Sequence, residues 1–261
     1  MDKSLLLAAS FGTTYQDTCE KNIGAVEDHL AAVFPQWAVR RAFTSAIVRK
    51  VLAKRGIEVD DVPAALEKAK EEGFRRVVIQ PTHLLYGVEY EKLQAQAKSY
   101  EGDFGAMAIG GPLLADYQDM LAVCDALSCA FPPEKGRALV LFGHGTHHYV
   151  NPVYAAMQTA FRLGGRKDVF VGTVEAWPTI EDVLDQLLAG DYQSVTLTPL
   201  MLVAGDHAEN DMLGEDSWKS LLEESGFAVT GVLRGLGEYP AIRRIYEDHA
   251  RKAMDQYVSH G

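Results

Sequence analysis

Three residues in this chain, His144, Glu175 and His207, have the side chains to hold a divalent cation. Two imidazoles and one carboxylate suit a first-row ion such as Co²⁺, Ni²⁺, Fe²⁺ or Zn²⁺. Three protein ligands also leave coordination positions open, as a catalytic or transferring site requires and a closed structural site does not. Each residue follows an apolar run: 138–142 precedes His144, 169–174 precedes Glu175, and the segment opened by 195–199 leads to His207. For any one of them, a polar loop residue satisfied by the backbone is an adequate explanation. Their joint placement after strand-like runs favours a metal centre.

The elements that must position them come in two copies. Residues 5–14 (LLLAASFGTT) return as 138–146 (ALVLFGHGT), with His144 where Phe11 stood. Residues 77–89 (VVIQPTHLLYGVE) return as 195–207 (VTLTPLMLVAGDH). Pro81 then aligns with Pro199, Gly87 with Gly205 and Glu89 with His207. Residues 39–45 (VRRAFTS) match 169–176 (VFVGTVEA), which sets Glu175 opposite Thr44. A single duplication of this length predicts two similar domains rather than a solenoid.

Strand-like runs alternate with amphipathic segments, the pattern of βαβ units and parallel sheets. The expected fold is α/β: two Rossmann-like domains, their parallel sheets flanked by helices, related by a pseudo-twofold and facing a shared cleft. Strands are predicted at 4–10, 38–43, 76–81, 105–110, 138–142, 169–174, 194–199 and 228–232. Helices are predicted at 19–34, 46–55, 62–72, 90–100, 152–163, 180–189 and 216–224. Two more, 114–130 and 240–259, have no place inside a half and are expected to cross between domains or pack on the sheets. The predicted boundary is 131–136 (FPPEKG), giving domains 1–130 and 131–261, the latter with most metal ligands; its last helix has the option of packing back on the first domain. Open parallel sheets bind ligands beyond the carboxyl ends of their strands, where all three candidate ligands fall.

Composition narrows the field. The 261 residues are 48% hydrophobic and 23% charged, ordinary for a soluble globular protein. A net charge of −11 argues against general binding to nucleic acid or anionic membranes. The densest basic stretch, 39–54, holds Arg40, Arg41, Arg49, Lys50 and Lys54, which read first as a solvated helix face. Three cysteines without paired spacing give no disulfide framework, and Cys124 and Cys129 are expected as small core residues. The start lacks the pattern of a signal peptide and no run is long enough to span a bilayer, so a cytoplasmic protein is expected. There is no HExxH, phosphate loop, dinucleotide GxGxxG or GxSxG elbow, so nucleotide chemistry and serine hydrolysis lose support and no nucleotide cofactor is expected.

Other residues read two ways. His147 and His148 are either proton-relay groups or solvent-facing residues of a helix entry. Gly143 and Gly145 either let a ligand approach the backbone or only serve the turn. Glu89 is an acidic site candidate or a helix-start carboxylate held by the dipole. His83 is read as structural or pocket-lining.

The residues together resemble the class II chelatases, which insert a metal into a tetrapyrrole, and most closely their sirohydrochlorin-metallating, cobalt-inserting branch. The likeness covers nearly the full length. It rests on Ser10–Thr14 and Asp17–Asn22, Arg41–Ser45, Gly87–Lys92 (GVEYEK), Gly143-His144-Gly145 with His147-His148, and above all 199–212 (PLMLVAGDHAENDM). Gly235–Glu238 and Pro240–Arg243 complete it. The resemblance implies metal contact from His144, Glu175 and His207, with His144, His207 and Glu89 in catalysis. It implies substrate contacts at Phe11, Thr44, Ser45, Glu89 and Tyr90. The implied reaction is ATP-independent insertion of Co²⁺ into sirohydrochlorin, an anionic tetrapyrrole; insertion of Fe²⁺ for sirohaem and metal or haem binding without turnover are the alternatives. Arg40, Arg41, Arg49 or Lys50 would hold the substrate's carboxylates. Some members carry an export signal and bind haem; none is read here, which counts against the haem role and leaves haem binding open. A homo-oligomer is left open.

Overall fold

The computed structural model describes residues 3–256. Chain contacts divide it into two units, Met1–Ala115 with Pro240–Gly261, and Asp116–Tyr239.

In the first unit β1 (Ser4–Ser10) leads through α1 (Gln16–Thr18), a π-helical turn (Cys19–Gly24) and α2 (Ala25–Val33) to β2 (Ala38–Phe43). Then come α3 (Ala46–Lys54), α4 (Val62–Glu71), β3 (Arg76–Pro81), α5 (Val88–Lys98) and β4 (Ala106–Ile109). The second unit runs α6 (Tyr117–Ala130), β5 (Arg137–Gly143), α7 (Val153–Leu163), β6 (Val169–Thr173), α8 (Ile180–Leu188) and β7 (Ser194–Pro199). A second π-helical turn (Ala208–Met212), α9 (Trp218–Glu224) and β8 (Ala228–Gly231) follow. The closing helix, α10 (Pro240–Asp255), packs on α2, β3 and β4 of the first unit. The predicted tail of that helix, 257–259, lies outside the described residues.

The sheets are parallel and share one order, β2-β1-β3-β4 and β6-β5-β7-β8. Their registers match too: Ser10 pairs with Phe43 and Gly143 with Thr173, while Ala9 pairs with Pro81 and Phe142 with Pro199. This corrects one sequence alignment. Thr44 N donates to Ser10 O and Ser45 N to Phe11 O; Val174 N donates to Gly143 O and Glu175 N to His144 O. Glu175 therefore corresponds to Ser45, not Thr44. The two segments had been matched at unequal length, and backbone pairing removes the slip.

The central strands are apolar along their length, as buried parallel strands must be, with all seven residues of β1 buried. Leu5, Leu7, Val77, Ile79 and Leu93 build the first core, and Val140, Phe142, Phe170, Leu197 and Trp218 the second. Each such side chain contributes about 1.5–3 kcal/mol of burial. At the edge, Gln158 Oε1 accepts from Val171 N of β6 at 2.9 Å and its Nε2 donates to Gln186 Oε1 at 2.6 Å. A side chain thus covers a strand amide that no neighbour pairs.

Several boundaries differ from the sequence reading for identifiable reasons. The helix predicted at 19–34 begins with a π-helical turn, where the Asn22 amide donates to Thr18 O at 3.0 Å; hydrophobic spacing carries no sign of it. The division falls before α6 and not at 131–136, because α6 packs on α7. Cys124 is buried, but Cys129 is exposed near the end of α6 and is not a core residue.

Candidate metal centre

The loops that follow β5, β6 and β7 hold the three candidate ligands of the second unit. His144 leaves the end of β5, and Gly145 then takes φ +82°, a left-handed turn open to glycine without strain. A Cβ at Gly145 would lie 2.9 Å from Ala176 N and from the Cβ atoms of Ala176 and Thr173, so the turn also sits tightly on the next loop. At Gly143 a Cβ would meet the Tyr154 ring at 2.5 Å. Both glycines serve packing and turn geometry.

Glu175 sits on a loop that folds back on its own strand: Thr173 N and Oγ1 both donate to Pro178 O, at 2.6 and 3.1 Å. Asn151 ties this loop to that of His144. Its Oδ1 accepts from Thr146 N at 3.0 Å and its Nδ2 donates to Trp177 O at 2.5 Å. The loop after β7 is anchored by Leu200 N to Phe142 O at 2.7 Å and by Leu236 N to Met201 O at 2.9 Å. It delivers His207 to the start of the second π-helical turn, a feature often found at functional sites.

These anchors bring the three side chains together. One ligand atom from each of His144, Glu175 and His207 lies within 4.8 Å of the others. His144 Nε2 is 3.9 Å from Glu175 Oε1, and the imidazole rings stand perpendicular with centroids 4.7 Å apart. The side chains are 42%, 49% and 38% exposed in chain order, so an ion can reach them from solvent. The remaining nitrogens are occupied: His144 Nδ1 contacts Gly145 O at 2.8 Å and His207 Nδ1 contacts Asp211 Oδ2 at 2.8 Å. Donating from Nδ1 leaves each Nε2 with a lone pair, the form in which imidazole binds metal.

The neighbouring histidines separate. His148 accepts at Nδ1 from Val150 N at 3.3 Å and lies tilted against the Tyr149 ring, which ties it to the turn, while His147 faces solvent.

In the first unit, Phe11, the counterpart of His144, is half exposed. Ser45 caps α3, its Oγ accepting from Val48 N at 3.3 Å. Tyr90 is buried, its hydroxyl donating to Gly110 O at 3.2 Å. Thr44 is buried and contacts His83 Nε2 through Oγ1 at 3.3 Å. Burial holds the His83 pKa down at about 4, so its ring is neutral near pH 7. Glu89 lies in the first turn of α5, with Oε1 3.9 Å from Lys92 Nζ and Oε2 enclosed without a hydrogen bond.

The basic stretch is largely spoken for. Arg40 pairs with Glu72 at 2.5 Å, Arg41 with Glu27 at 2.6 Å and Arg49 with Asp61 at 2.9 Å. The guanidiniums named for the substrate rim are thus occupied by carboxylates of their own unit. Lys50 is exposed.

Sequence reasoning passed over Asn151 and Asp211. The second had a readable signal, because a carboxylate four residues after a histidine shares its face of a helix. The first had none, since the hydrogen bonds it makes span two loops.

Comparison with known proteins identifies the family. Residues 3–255 match the family model described as Cobalt chelatase (CbiK). A sirohydrochlorin cobaltochelatase of Salmonella typhimurium is 41% identical over 98% of both chains. Sirohydrochlorin cobaltochelatase CbiKC of Nitratidesulfovibrio vulgaris is 36% identical over 97% of this chain and 92% of its own. Among solved structures, SirB from Bacillus subtilis with Fe³⁺ superposes with a TM-score of 0.69, at 14% identity, over 99% of this chain and 98% of that one. That likeness is one of fold. The chain is a member of the cobalt chelatase (CbiK) family.

Proposed function

We propose that this chain inserts Co²⁺ into sirohydrochlorin without ATP. Its relatives at 41% and 36% identity are sirohydrochlorin cobaltochelatases, matched over nearly the whole chain. The observation that carries the reading is the convergence of His144, Glu175 and His207 within 4.8 Å.

The chemistry follows from the donor set. Metallating a tetrapyrrole requires two pyrrolic N–H protons to leave while the ion exchanges water for ring nitrogens. Two neutral imidazoles and one carboxylate offset part of the cation's charge and leave positions for the incoming nitrogens. An imidazole that has released its metal can accept a proton, so one group serves in turn as ligand and base. We assign that double role chiefly to His144, with Glu175 and His207 as co-ligands. Glu89, with an enclosed carboxylate oxygen lacking a hydrogen bond, is assigned as proton acceptor or orienter on the first unit. Phe11 and Thr44 are assigned as substrate contacts there. Ser45 and Tyr90 act beside them by shaping the wall, since their hydroxyls are engaged internally.

The test is a spectroscopic metallation assay with free sirohydrochlorin and excess Co²⁺. Many turnovers per chain are expected, whereas stoichiometric binding without turnover would reduce the protein to a metal or tetrapyrrole carrier. Running Co²⁺ and Fe²⁺ in competition decides between cobalt insertion and the sirohaem reaction, which the ligand types do not separate.

A further inference from the structure

We propose that Asp211 is a positioning residue for the metal centre, fixing the tautomer and the aim of His207. This deepens the metal-site reading above and rests on it. The two histidines are held differently. His144 Nδ1 contacts a backbone carbonyl belonging to the residue beside it, Gly145. His207 Nδ1 contacts a carboxylate, Asp211 Oδ2, at 2.8 Å across the π-helical turn Ala208–Met212.

A carboxylate only accepts, so the contact places the proton on Nδ1 and leaves Nε2 as the metal-facing atom. The ring is also fixed about its side-chain torsions, with its plane perpendicular to that of His144. Nothing else in the local fold demands this pair. Both side chains are roughly two-fifths exposed, at 38% and 45%, where an ion pair adds little to stability. Nor is Asp211 placed to be a ligand: the cluster within 4.8 Å is His144, Glu175 and His207. Its carboxylate serves the ion through His207. Carboxylates that orient a ligating histidine in this way typically govern metal affinity by about 10–100-fold.

The test uses the full chain and Co²⁺ alone as probe. Long-range ¹H–¹⁵N spectra of the metal-free protein should show His207 as the Nδ1–H tautomer in wild type and a shift towards Nε2–H in D211A. Co²⁺ titration, followed by visible absorption and by chelator competition, should show D211A binding about 10–100-fold more weakly. D211E, which restores a carboxylate, should recover most of that affinity. H207A should also bind weakly, and D211A added to H207A should cost nothing further, because both changes act through one ring. Wild-type affinity and spectrum in D211A, or losses that multiply in the double variant, would overturn the proposal while leaving the metal centre intact. Wild-type affinity in H207A would instead bring down the metal-site reading on which it depends.

Discussion

Lowering the pH should cost the first unit stability through His83. This ring sits at the end of β3 against Thr44, and burial depresses its pKa from 6.5 to about 4. In the unfolded chain the same imidazole takes a proton below about 6.5. Between those values the unfolded state binds more protons than the folded one, so stability falls as pH falls, and the contribution is complete above about 6.5. At about 1.4 kcal/mol per pH unit, the gap between 6.5 and about 4 caps the loss at about 3.5 kcal/mol. The ring is partly covered and not sealed, so the measured loss should fall short of that cap. The assay compares urea unfolding of wild type and H83Q at about pH 7 and about pH 5, the glutamine keeping a neutral partner for Thr44. Taking the difference between variants cancels every other titrating group. Wild type should lose more stability than H83Q on acidification, and the His83 ring should titrate well below 6 by NMR. A ring that titrates at its ordinary value, or a difference that stays constant with pH, would refute the argument.

Three further outcomes are expected. H144A and H207A should each keep the fold and lose most metallation activity, with kcat falling about 100-fold or more for H144A as chief base; wild-type rates in both would overturn the site assignment. G145A should be destabilised by about 1–2 kcal/mol from its left-handed backbone alone, as read by thermal unfolding. It should also weaken Co²⁺ binding, because a Cβ there presses on the loop that carries Glu175. Y246F should lose about 1–3 kcal/mol in denaturant unfolding with its kcat unchanged, since the buried hydroxyl donates to Thr82 O at 2.9 Å and its loss strands that carbonyl.

Much of the architecture was legible because parallel strands buried on both faces read as apolar runs, and each run here ends at a polar turn. The duplication made the reading firmer, since a strand recognised once could be sought again. Most of what escaped has no one-dimensional signature. The π-helical turns break no hydrophobic pattern, and the one-residue slip at Glu175 came from matching segments of unequal length. The ion pairs that occupy Arg40, Arg41 and Arg49 join residues distant in sequence, so the basic stretch looked available when it was not. The three candidate ligands could be named because each follows an apolar run of the second copy, where the sequence alignment sets Phe11, Thr44 and Glu89 of the first. Asp211 was hidden by its setting, one acid among several in an acidic turn.

The equivalence of the two sheets bears on where discrimination between ions resides. With strand order and register held in common, the strands of the half that gathers the imidazoles match those of the half that does not, and the two halves differ in the connections beyond the strand ends. Under the proposed metal site, affinity for a cation would be an attribute of three loop positions and their immediate supports, separable from the shared strand framework. On that reading, a change of ionic preference would need exchanges at those loop positions and none in the strands.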